Sequence, residues 1–179
     1  MDLPAPLTIG YSELFEAILE LDNSVFGLMV KKYGVGNTGG VLHICDADGR
    51  EMLHRVIGDP DPVMAEARSD IARQNAHRLL SHPDHFLASQ SMNAARDEWD
   101  GAIRMENGVI ISFSTIAIGA NEAFCASIGY HLGMSSIEYL MDVLSITRNA
   151  RLFLEINALV SKALGKTPPL TQAKQPSIT

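Results

Sequence analysis

Residues 41–57 read VLHICDADGREMLHRVI, and the fold turns on them. Two runs rich in apolar and β-branched residues flank Asp48-Gly49. That dipeptide suits a type I′ turn, whose two central residues both need positive φ. With Asp48-Gly49 as a two-residue loop the register follows by counting. Ala47 faces Arg50, Cys45 faces Met52, His43 faces His54 and Val41 faces Val56.

This register gathers His43, Cys45, Met52 and His54 on one face of the hairpin, with Cβ atoms of opposed residues about 4.5–5.5 Å apart. Imidazole, thiolate and thioether are donors taken by haem iron and soft metals, and Val41 and Val56 supply apolar surroundings. These four are the candidate cofactor-binding residues. The plainer reading is a packed face whose two imidazoles satisfy each other or nearby backbone.

Upstream, Leu14, Ile18, Leu21, Val25 and Leu28 recur at helical spacing, with Glu13, Glu16 and Glu20 early and Lys31-Lys32 late. This predicts an amphipathic helix over 11–32 with charges suited to its dipole. Gly34-Val35-Gly36-Asn37-Thr38-Gly39 formally contains G-x-G-x-x-G. It follows a helix and opens a strand, the reverse of a dinucleotide site, so it reads as a connection.

Downstream, Asp61 and Pro62 suit the N-cap and first position of a helix running to about Leu80, with Met64, Ala67, Ile71, Leu79 and Leu80 apolar. Residues 82–99 are least legible, with a short strand near Phe86-Leu87-Ala88 and a loop or short helix after it. Gly101 to Met105 and Val109 to Thr115 form a second hairpin about Glu106-Asn107-Gly108, an Asn-Gly turn. Ala120 or Asn121 opens a small-residue helix that Gly133 stops. Ser135-x-x-Glu138 caps a further helix to Gly165, with a bend near Thr147-Arg148-Asn149. The sum is one α+β domain over 1–165, an antiparallel sheet flanked by helices with an extra C-terminal helix, and a disordered tail over 166–179.

Helix, hairpin, helix, hairpin, helix is the order of profilin-like three-layer sandwiches. Within these the chain resembles the small haem-binding GlcG/HbpS-like family. The resemblance rests on Cys45-Asp46-Ala47-Asp48-Gly49, on Gly101-Ala102-Ile103, and on Ser112-Phe113-Ser114 leading to a helix with Glu122 near its start. It covers residues 10–133. It implies a haem or small-molecule binding module that assembles as a homo-oligomer, with no catalytic set to carry over. Roadblock-type scaffolds share the same order of elements and keep an interaction role open.

Composition narrows the rest. The chain of 179 residues has a formal net charge of −7, and its longest basic run is Lys31-Lys32, which argues against a nucleic-acid partner. No apolar run approaches the roughly 18 residues of a membrane span, and residues 1–6 lack signal-peptide character, so a cytoplasmic location is expected. Cys45 and Cys125 are expected as buried free thiols. There is no G-x-S-x-G, P-loop or H-E-x-x-H to specify a reaction. His82-Pro83-Asp84-His85 lacks further zinc ligands and reads as a solvated turn, and Asp97-Glu98-Trp99-Asp100 as a solvated loop or an acidic pocket rim. The apolar stripe after Ser135 is expected to cover the sheet or pair with another subunit.

Overall fold

The computed structural model describes residues 39–96, 98–114 and 119–165; the helix expected over 11–32, the connection up to Thr38 and the tail from Lys166 lie outside them. β1 (Gly39–Cys45) and β2 (Glu51–Gly58) form the first hairpin, and β3 (Ala102–Arg104) and β4 (Ile110–Ser114) the second. Antiparallel pairing of β1 with β4 joins them into one four-stranded sheet of order β2-β1-β4-β3. Between the hairpins runs α1 (Pro62–Ser81), followed by short 3-10 turns at Ala88–Ser91 and Ala94–Arg96. After β4 come α2 (Ala120–His131), α3 (Ile137–Ser145) and α4 (Ala150–Ala163). The result is an α+β sandwich of helices and an antiparallel sheet.

The first hairpin does not use the expected type I′ turn. Gly49 donates its N–H to the Asp46 carbonyl (3.0 Å) and Asp46 its own to Arg50 (3.0 Å). Gly49 has φ 82°, whereas Asp48 stays out of the positive region. This is a three-residue loop closed by a left-handed glycine. Gly108, at φ 86°, closes the second hairpin in the same way, with Gly108 N–H on Met105 and Met105 N–H on Val109. The cause lies in the side chains. Asp46 Oδ1 accepts the N–H groups of Asp48 and Arg50, and Asn107 Oδ1 accepts that of Val109, local bonds that select this turn.

A three-residue loop shifts the pairing by one. Cys45 therefore faces Glu51 rather than Met52, and the expected Ala47–Arg50 pair is replaced by Asp46 bonded to Arg50. The ladder then slips between Ile44 and Cys45, and Met52 is left as the extra residue of a bulge. Beyond it His43 faces His54 and Val41 faces Val56, as expected from sequence. Two one-residue shifts cancel.

The two sheet faces differ in chemistry. Leu42, Ile44, Ile103, Ile111 and Phe113 point to one side, into a core completed by α2, α3 and α4. α2 is buried almost all round, and Gly129 lets it approach the sheet, since a Cβ there would overlap the Met105 sulfur. α4 lies against α2 and α3, contributing Phe153, Ile156 and Val160 to the core. Burying those three side chains contributes on the order of 5 kcal/mol before ordering entropy is subtracted. The C-terminal stripe is thus spent within the chain.

α1 covers the other face. Asp61 caps it, accepting from the N–H of Val63 (3.0 Å) and Met64 (3.3 Å), with Pro62 at its start. Its buried residues are Arg68, Ala72, Asn75, Ala76 and Leu79; Met64, expected inward, is exposed. The helix turns polar residues inward because backbone acceptors wait there. Arg68 donates to the Gly39 carbonyl (2.8 Å) and Asn75 to that of Asp100 (2.7 Å). Two further corrections concern the C-terminal helices. The cap of α3 is Ser136, one residue later than expected, and the predicted bend is a full break between α3 and α4.

Candidate functional site

Across all four strands, beneath α1, runs the row His54, His43, Ser112, Ala102. His43 sits on an inner strand and is 7% exposed, while His54 is on the edge strand and half-buried. Their Nδ1 atoms are 3.2 Å apart, and the rings meet edge to face with centroids 5.3 Å apart. Glu51 Oε2 is 3.7 Å from His43 Nδ1. α1 supplies Ser69, whose Oγ is 2.7 Å from His54 Nε2, and Arg73, which donates to Ser69 Oγ (3.0 Å) and lies 3.5 Å from Glu51 Oε2.

Burial, and then the neighbouring His54, hold the His43 imidazole below its usual range, with Glu51 opposing. Desolvation and then Arg73 do the same to His54. Both rings are therefore neutral at neutral pH, and the His43–Glu51 contact is not an ion pair there despite its length. One ligand atom from each of His43, Glu51 and His54 fits within 4.8 Å of the others. Of the described residues, these three could hold a metal ion.

The other expected donors do not join them. Cys45 is 1% exposed in an apolar cluster with Ala76, Leu79, Ala88, Ala102 and Ile110, and burial pushes its thiol up to about 11. A thiol so placed is inert. Met52 is the bulged residue, 37% exposed and without a strand partner. Glu51 takes their place. It went unread because uninterrupted alternation puts it on the far face. The available signal was Asp46, whose side chain favours the three-residue turn and so pairs Cys45 with Glu51.

Elsewhere, His82 and His85 stack with centroids 4.9 Å apart, and His82 Nδ1 bonds the Arg78 carbonyl (2.8 Å) within an exposed turn. Asp97 lies outside the described residues. Asp100 is buried, not a rim: its carboxylate accepts the Gly119 N–H at the start of α2. Beside it Glu122 is fully buried, accepting from Ser89 N–H and Oγ (2.8 Å each). Desolvation raises its carboxyl to about 7, opposed by the Ser89 bonds and assisted by Asp100. Arg78 ties this region together through Ser91 Oγ (3.0 Å) and the carbonyls of Ala88 (3.1 Å) and Trp99. Cys125 is fully buried, and desolvation raises its thiol well above the usual range, so it too is inert.

Searches against family models, curated proteins and solved structures return no match to this chain. Among the described residues no helix is long and apolar enough to cross a membrane. Haem does not fit this donor set as it is arranged. The His43 side chain is 8% exposed, its Nδ1 faces His54, and His54 Nε2 is engaged by Ser69. Both Nδ1 atoms and the Nε2 of His54 are thus engaged rather than clear for an iron at the centre of a wide planar ring.

Proposed function

We propose that this chain is a small-ligand binding module, a profilin-like sandwich of GlcG/HbpS type, with its site where β1 and β2 meet α1. The observation that carries this reading is the polar row beneath α1. His43 and Ser112 are buried on a sheet whose opposite face is apolar throughout its centre, and Ser112 Oγ has no partner among the described residues. Burying the Ser112 hydroxyl unpaired costs about 1–3 kcal/mol, so an apolar residue there would be the more stable solution. A ligand that reaches this hydroxyl recovers that cost.

Haem is the ligand the family resemblance names, and it could enter only if His54 leaves Ser69 or the hairpin moves away from α1. Difference absorbance on adding haem to the purified chain tests this, with His54→Ala as the control. A Soret change that the substitution removes supports haem. A signal identical in both proteins removes it from the reading.

A scaffold of roadblock type, or a homo-oligomer, draws on a separate observation. Among the described residues β2 is an edge strand, and Met52 (37%) and Val56 (51%) stand exposed along it. Such an edge can pair with another chain. Light scattering across a concentration series reads this out: mass rising above one chain, and reduced by Val56→Lys, supports assembly through β2.

A further inference from the structure

We propose that His43, Glu51 and His54 bind a transition-metal ion of the zinc class, each through one ligand atom, with a fourth position open to water or a small ligand. The inference deepens the binding-module reading, since it names the ligand class of that same site.

The geometry of the donors is the first argument. Two nitrogens bound to one tetrahedral zinc at about 2.0–2.1 Å lie about 3.3 Å from each other. The Nδ1 atoms of His43 and His54 are 3.2 Å apart, and Glu51 Oε2 is 3.7 Å from the first. The set is already close to the spacing an ion needs, so little chain movement is required to close around it. Two imidazoles and one carboxylate suit zinc and its neighbours rather than magnesium or calcium, which take oxygen ligands.

The surroundings are the second. A metal-bound histidine is normally held through its other ring nitrogen. His54 Nε2 has Ser69 Oγ at 2.7 Å, and Ser69 is fixed in turn by Arg73. Arg73 also approaches Glu51 Oε2 at 3.5 Å. Its charge opposes a cation, and it orients the carboxylate toward the histidines at the same time. The side chain of Glu51 is 48% exposed, which leaves an entry path from solvent. Facing His43 from β4, the unpartnered Ser112 hydroxyl offers a hydrogen bond within the same row.

The backbone is the third. Glu51 reaches this face only because the three-residue turn and the bulge at Met52 act together. Bulges re-aim side chains, and they recur beside functional sites. Binding needs no net proton release: each neutral ring keeps its single proton, and the ring that carried it on Nδ1 holds it on Nε2 once the ion takes the two Nδ1 lone pairs.

Calorimetric titration of the full metal-free chain with zinc chloride, and separately with magnesium chloride, tests the proposal. One zinc per chain and no magnesium is the expected result. Glu51→Gln should weaken zinc binding at least about tenfold and His54→Ala should remove it. The paired substitution His82→Ala with His85→Ala should leave it unchanged. Cobalt in place of zinc should give visible absorption of tetrahedral type that Glu51→Gln alters, a readout independent of folding stability. No zinc uptake at millimolar metal, uptake insensitive to Glu51→Gln and His54→Ala, or uptake lost on changing His82 and His85 would each overturn the proposal. Haem added to the zinc-free chain separates the two levels. Haem binding that depends on His54 without zinc uptake removes the metal and leaves the binding module, whereas neither ligand binding removes both.

Discussion

The Nδ1 atoms of His43 and His54 face each other at 3.2 Å, so in the metal-free chain one carries the proton and the other accepts it. The two residues should therefore be energetically coupled. His43→Ala should cost about 2 kcal/mol, since a buried ring leaves a cavity, and His54→Ala about 1 kcal/mol. The double variant should cost less than their sum by about 1 kcal/mol. Denaturant unfolding of the four proteins measures this. Strict additivity would mean that the contact contributes nothing to stability.

Glu122 makes stability depend on pH in a defined direction. Its carboxyl titrates near 4.5 when free and about 7 when buried, mainly through desolvation. The fold thus holds a proton that the unfolded chain has lost. This group's contribution is complete below pH 4.5 and is lost as pH rises through 7, a difference of about 3 kcal/mol at most. Glu122→Gln should flatten thermal stability across that window. A Gln variant with the same pH slope as the parent would assign the dependence to other groups.

How far the sequence foretold this site can be judged from the hairpin itself. The strands, the glycine-closed turn and the His43–His54 pair were all legible from alternation and the Asp-Gly signal. The turn type was not, because it depends on Asp46 bonding the backbone inside the loop. Glu51 stayed hidden for the same reason, since a bulge changes facing without changing composition. The inward turn of Arg68 and Asn75 was equally unreadable. Their acceptors, the carbonyls of Gly39 and Asp100, are distant in sequence and belong to other elements. Glu122 was noticed only as an acid near a helix start, whereas its burial depends on Ser89 from the crossover segment.

Arg148 ends α3 in a left-handed conformation, φ 62°, with its N–H on Ser145 and that of Asn149 on Leu144. That position is normally glycine, and a side chain there costs about 1 kcal/mol. Arg148 is exposed, so little packing is at stake. Arg148→Gly should raise the midpoint of thermal unfolding, by up to about 1 kcal/mol of stability. A lower midpoint would show that the arginine side chain contributes more than its backbone costs.

Gly129→Ala tests how closely α2 lies on the sheet. In a free helix alanine is favoured over glycine by about 1 kcal/mol. Here the new methyl meets the Met105 sulfur and terminal carbon, which must swing away inside a filled core. Overpacking of this kind costs about 1–3 kcal/mol, so the net change should be destabilising. Shortening the obstacle with Met105→Ala should make the alanine at 129 tolerable, and a denaturation series on the pair would show it.

The burial of α2 on all sides has a consequence for the order in which the chain becomes a protein during synthesis. Ser127 on α2 bonds Asn157 (2.8 Å) and His131 bonds Ser161 (3.3 Å), so its outer face is closed by the last described helix. A ribosome that has made everything through the sheet and α2 still holds a chain whose central helix is bare on one side. Until α4 emerges, that helix is an exposed adhesive surface. A chain terminated early near residue 146 should consequently be a substrate for chaperones and proteases rather than a smaller working domain.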